Sequence, residues 1–198
     1  MKKALLILIF LFALPLSSFA GVKGVFETLE GKAPKAGSLD VVTIHEVFAF
    51  SCPHCAHFNQ EIPALKKQFG KKIKFVGHPV GWAGHDPGRL YFIAVDLGKE
   101  EAVKDMIFDF FHEKGLGEMV YQRERLKYVA RFNGMLDEFE AKMDDPKYVK
   151  AMEDSIQFAK DKKVESTPTL VVEGIFKTHG DPANLKMIIN SLLKNPVP

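Results

Sequence analysis

Cysteine is nearly missing from this chain, with two in 198 residues, Cys52 and Cys55. An exported scaffold held by disulfides carries several, spread to close long loops. A bridge between these two would close almost no loop and would hardly constrain the unfolded chain. A zinc site would need two further ligands, and there is no second C-x-x-C. His45, His57, His78 and His85 follow no familiar zinc spacing, so no metal is expected. Covalent haem needs a histidine after the second cysteine, where Ala56 stands. Excess charge is also missing. Without Lys2 and Lys3 the 27 basic residues fall to 25, equal to the 25 acidic ones, and nothing points to nucleic acid. Beyond residue 20 no apolar run approaches the roughly 20 residues that a membrane span requires. There are no repeats and no low-complexity tract.

What is present begins with a targeting pattern. Met1-Lys2-Lys3 is a positive start, Ala4–Leu16 is apolar, and Ser18-Phe19-Ala20 offers small residues at a cleavage site. That predicts a secretory signal over residues 1–20, cleaved after Ala20, and a mature soluble chain of residues 21–198. No cysteine lies there for lipid attachment.

Strand and helix signals alternate along the mature chain. Val22–Leu29 reads as an edge strand. Val41–Phe50 is β-branched and aromatic, as in a strand buried on both faces. Ser51 is placed to cap a helix starting at Pro53, with Phe58, Ile62, Leu65 and Phe69 at helical spacing and Gly70 as its stop. Ile73–Val80 is the next strand and closes a βαβ unit. Helices follow at Leu90–Leu97, after an Asp86-Pro87 cap signal, and then at Glu100–Lys114, Met119–Phe132 and Leu136–Met143. A fifth runs from Asp145-Pro146 to about Lys163. Thr169–Glu173 and Ile175–Thr178 form a hairpin at Gly174, and Asp181-Pro182 opens a last helix, Ala183–Leu193. Strands on both sides of a helical block need each other to build one sheet. The expected architecture is therefore a single α/β domain interrupted at about residues 84–163 by an insertion of about five helices.

The chemistry concentrates at Cys52-Pro53-His54-Cys55, a strand-to-helix junction. A thiol at a helix N-terminus faces unpaired N–H groups and the positive end of the dipole, which favour thiolate. Pro53 suits a first turn that needs no N–H. His54 adds a donor or partial positive charge beside the Cys52 sulfur. Cys52 is thus expected to be exposed, acidic and nucleophilic, and Cys55, one turn into the helix, to be the buried resolving thiol. Glu46 is an acid in an apolar strand six residues before Cys52. It lies either on the exposed face of an edge strand or beneath Cys55 as a buried acid that shuttles its proton.

Phe26-Glu27-Thr28-Leu29-Glu30, Glu46, the C-P-H-C quartet, the helical block, Thr167-Pro168 and Val171-Val172-Glu173-Gly174 together resemble the DsbA family of periplasmic disulfide-forming oxidases. The likeness runs over Val22–Leu193. It implies a thioredoxin fold, a central mixed sheet flanked by helices, with an inserted helical domain. It also implies a periplasmic monomer that oxidises reduced, cysteine-containing exported proteins. The redox-active pair Cys52–Cys55 would serve without a cofactor, and a quinone-linked membrane oxidase of the DsbB kind would re-oxidise it. Thr167-Pro168 would be the cis-proline loop that holds clients by their main chain. Thr167 departs from the valine of the best-known members and is more typical of the isomerases. An isomerase or reductase kept reduced by a membrane donor is therefore the alternative, and a non-catalytic chaperone on the same scaffold is a third reading. Against that alternative, no separate N-terminal dimerisation domain of the kind the isomerases use is expected ahead of the α/β domain.

Overall fold

The computed structural model describes residues 21–81 and 84–198. The segment expected as a secretory signal, residues 1–20, lies outside them. The elements are β1 (Glu27–Thr28), β2 (Val42–Phe48), α1 (Pro53–Phe69), β3 (Ile73–Pro79), α2 (Asp86–Asp96), α3 (Glu100–His112), α4 (Arg123–Phe132), α5 (Leu136–Lys142), α6 (Pro146–Asp161), β4 (Thr169–Val172), β5 (Phe176–His179) and α7 (Pro182–Leu192).

The strands form one mixed sheet in the order β1-β5-β4-β2-β3. β2 runs parallel to β3, Val42 opposite Ile73, and antiparallel to β4, Ile44 opposite Val172. With a neighbour on each side and helices over both faces, β2 buries its four apolar residues, Val42, Ile44, Val47 and Phe48. Side chains alternate across a strand, so Val42, Ile44, Glu46 and Phe48 share one face and His45 takes the other.

On the first face α1 lays Phe58, Ile62, Leu65 and Phe69, all buried, against the sheet. α7 adds Leu185, Ile188, Ile189 and Leu192 to the same core. Each such side chain contributes about 1.5–3 kcal/mol when fully removed from water. Gly70 ends α1 at φ 55, a conformation that costs glycine little, and its N–H bonds the Lys66 carbonyl. α6 covers the other face, where Ser155 Oγ donates to the Pro79 carbonyl at 2.7 Å. α2–α6 lie between β3 and β4 in sequence, as an inserted helical block. The core of this block, including Leu90, Ile93, Val103, Ile107 and Val129, is continuous with Phe48, Phe50 and Cys55. Insertion and sheet therefore meet at the cysteine end of β2.

Four local expectations change. The edge strand shrinks from Val22–Leu29 to Glu27–Thr28, because only those residues pair with β5, through Lys177 and Phe176. Cys52, not Ser51, is the N-cap of α1. Asp86 does not cap α2, whose N-cap is His85. Its carboxylate instead binds Arg123 at 2.9 and 3.2 Å, joining α2 to α4. The segment read as one helix over Met119–Phe132 is a 3-10 turn, Gly117–Tyr121, and then α4, because Gln122 is extended between them. Asp145 and Asp181 do cap: each carboxylate accepts the N–H two residues on, at 2.8 and 2.9 Å.

Candidate active site

Cys52 sits where β2 gives way to α1, half-buried, at φ −88 and ψ 115. Its N–H donates to the Ala49 carbonyl at 3.1 Å, closing the turn that turns the chain from sheet to helix. Its sulfur accepts the Cys55 N–H at 3.4 Å, so the first cysteine itself caps the redox helix. The charge of a thiolate there would face the helix N-terminus. Pro53 fills the first helical position, where no N–H is missed.

Cys55 is fully buried. Burial, and then the neighbouring Cys52 sulfur, push its thiol well above the ordinary cysteine range. In the dithiol the proton therefore stays on Cys55. Both sulfurs are free thiols in this structure.

The cis-proline loop closes the site from the far end of the chain. The Thr167–Pro168 peptide is cis. The Cys52 Sγ donates to the Thr167 carbonyl at 3.2 Å, across 115 residues of sequence. Pro168 is buried against Gly180, where an added Cβ would stand 2.5 Å from the proline Cγ and 3.3 Å from the Phe58 ring. Gly180 is thus part of the site's frame, and nothing local in the sequence marks it.

Glu46 is 2% exposed on a strand with neighbours on both sides, so the reading of an exposed edge is excluded. Its partner is Lys104 of α3, with Nζ 2.7 Å from Oε2. Among the described residues Oε1 has no hydrogen-bond partner, and none joins Glu46 to Cys55. The ammonium also lies 4.2 Å from the Phe48 ring centroid, where the π face adds to its stabilisation. Gly77, opposite Glu46 on β3, leaves room for the Tyr91 hydroxyl, which would lie 2.1 Å from a Cβ there. Burial, and then the Glu46 charge, keep Tyr91 protonated.

The structure thus gathers Cys52, Pro53, Cys55, Thr167 and Pro168 into one site. It puts Glu46 in the layer beneath α1 and leaves His54 exposed, with no bond to Cys52 among the described residues. Lys104, Gly180 and His112, whose ring bonds the Phe50 carbonyl, were not legible in the sequence.

A four-residue dithiol turn at a helix N-terminus, one cysteine half-buried and one fully buried, on a mixed sheet with a facing cis-proline loop, defines a thiol–disulfide oxidoreductase. Comparison with known proteins agrees. A thioredoxin family model matches residues 36–191, and the chain belongs to the thioredoxin family. It is similar to the thiol:disulfide interchange protein DsbA of Burkholderia cepacia, 26% identical over 155 residues, 77% of this chain and 73% of that one. The Haemophilus influenzae DsbA is 27% identical over 146 residues, 70% of this chain and 69% of that one. The crystal structure of DsbA from Xylella fastidiosa superposes with a TM-score of 0.63 at 26% identity, covering 76% of this chain and 81% of that one.

Proposed function

We propose that this chain introduces disulfide bonds into exported proteins in the periplasm. One observation carries the reading: Cys52 is only half-buried while Cys55 is fully buried. In the oxidised protein a client thiolate attacks Cys52 Sγ and breaks the Cys52–Cys55 bond. Cys55 takes the electron pair and a proton. A second client thiolate then attacks the client sulfur of the mixed disulfide and releases Cys52. The client leaves with a disulfide, and the protein holds the two electrons as a dithiol. A quinone-linked membrane oxidase of the DsbB kind would collect them, and no cofactor takes part in the exchange. His54 tunes this balance from the rim of the site, and Glu46 supports proton movement at Cys55. The Thr167 carbonyl and the neighbouring main chain would hold an extended client beside Cys52, since every peptide offers the same backbone groups.

Thr167 before Pro168 keeps a second reading in view, an isomerase held reduced by a membrane donor. One assay separates the two. The oxidised protein is mixed with a reduced two-cysteine client, and its own dithiol–disulfide equilibrium is measured against glutathione. Rapid stoichiometric oxidation of the client and a couple more oxidising than glutathione support the oxidase. A couple more reducing than glutathione, with activity only on scrambled disulfides, would overturn it.

A further inference from the structure

His112 is the last residue of α3, and its ring Nε2 lies 2.9 Å from the carbonyl oxygen of Phe50. Phe50 is buried and stands two residues before Cys52. A carbonyl is an acceptor only, so His112 Nε2 must carry the hydrogen. We infer that His112 is a positioning residue for the redox pair: the inserted helical block sets the conformation of the Cys52 turn through this one hydrogen bond. The inference rests on the thiol–disulfide reading of Cys52 and Cys55.

The geometry on both sides supports it. Among the described residues the turn from Ala49 to Cys52 is closed by one backbone bond, from the Cys52 N–H to the Ala49 carbonyl at 3.1 Å. The peptide unit between Phe50 and Ser51 lies inside that turn. A peptide is planar, so fixing its carbonyl toward α3 also fixes the Ser51 N–H on the opposite side. Two rotations upstream of Cys52 are thereby restricted, and they aim its sulfur between the first turn of α1 and the Thr167 carbonyl. His112 is itself held in place. Its ring lies tilted against Phe108, 6.1 Å between centroids, and against Phe111 at 5.4 Å. Phe108 in turn packs on Phe50 at 5.3 Å. A shallow groove lined by Ala56, Gln60, Phe108, Asp109 and His112 runs alongside the start of α1. The histidine therefore borders the redox helix without touching either sulfur in any bond among the described residues.

The test compares two variants of the full chain. His112→Phe keeps a ring on Phe108 and Phe111 but removes the donor. His112→Gln removes the ring and keeps a terminal N–H donor. Two quantities are read: the dithiol–disulfide equilibrium constant against glutathione, and the rate at which iodoacetamide alkylates Cys52 at neutral pH. A purely structural role would lower thermal stability and leave both unchanged. We expect His112→Phe to make the protein less oxidising by about tenfold, about 30 mV for a two-electron couple, and to slow alkylation. His112→Gln should stay within about twofold of the wild-type equilibrium, a shift of about 9 mV or less on the same scale. If His112→Phe leaves both readings within about twofold of wild type, or His112→Gln shifts them as far as His112→Phe, the inference fails. Nitrogen-15 NMR of the wild-type chain provides a check that needs no variant: His112 must be protonated on Nε2, and an Nδ1–H tautomer would overturn the proposal. Failure of the exchange reading itself would show separately, as a wild-type protein whose Cys52 and Cys55 do not equilibrate with glutathione at all.

Discussion

The carboxylate of Glu46 meets the ammonium of Lys104 at 2.7 Å, with 2% and 7% of the two side chains in contact with solvent. Neither would survive there alone, because an unpaired buried charge costs several kcal/mol. The pair ties β2 to α3, and so the sheet to the inserted block.

Removing one member leaves the other buried and unpaired. Lys104→Met should therefore lower stability by about 3–5 kcal/mol, read as the urea midpoint. The double variant Glu46→Leu with Lys104→Met should recover most of that loss, to within about 2 kcal/mol of wild type. Equal damage in the single and double variants would mean that packing, not charge, holds the site.

The two cysteines should separate cleanly by function. With Cys55→Ala the mixed disulfide formed at Cys52 has no internal thiol to release it, so client adducts accumulate on non-reducing gels. Cys52→Ala leaves only a buried sulfur and should trap none. Equal trapping would reverse the roles assigned here.

A histidine pair behind the sheet gives a pH dependence. His45 Nδ1 lies 2.9 Å from His78 Nε2, and His78 stacks on Phe158 at 3.9 Å. Burial, and then His45, pull His78 from 6.5 down to about 4. Burial, and then Lys162 and Lys74, lower His45 as well. The folded protein keeps these rings neutral where the unfolded chain binds protons, so stability is full above pH 6.5 and is lost as pH falls toward 4. His78 alone should remove on the order of 2 kcal/mol between about pH 7 and pH 5. His78→Phe keeps a ring on Phe158 and should flatten that slope. An unchanged slope would place the acid sensitivity elsewhere.

Gly180→Ala tests the frame of the proline loop. Its Cβ would stand 2.5 Å from Pro168 and press on Phe58. The expected cost is about 1–3 kcal/mol of stability from overpacking, together with slower client oxidation, because the loop that carries the Thr167 carbonyl must shift. Normal turnover in a destabilised protein would separate the glycine from the site.

Much of this was legible because it is local. The periodicity of Phe58, Ile62, Leu65 and Phe69, the stop at Gly70, the Asp145 and Asp181 caps and the turn at Gly174 all act within a few residues. What escaped depends on partners far away in sequence. Lys104 occupies an ordinary charged helix position until its partner, 58 residues earlier, is known. Asp86-Pro87 has the form of a cap, but Arg123, 37 residues on, takes the carboxylate. His112 and Gly180 have no local signature, since each is defined by what stands opposite it. Val22–Leu29 has strand composition throughout, but β1 is only Glu27–Thr28, because only those two residues find ladder partners on β5.

The 115-residue separation of Cys52 and Thr167 also sets a sequence of events in time. Contacts this distant close late and slow folding, because a long loop must be ordered before they form. A chain synthesised from its N-terminus presents its two thiols with α1 long before β4 exists, and β4 supplies both the second neighbour of β2 and the loop beside Cys52. Until then Cys52 lacks the Thr167 carbonyl beside it. Completion of the site thus reports completion of the chain, because only the finished fold brings the Thr167 carbonyl to Cys52.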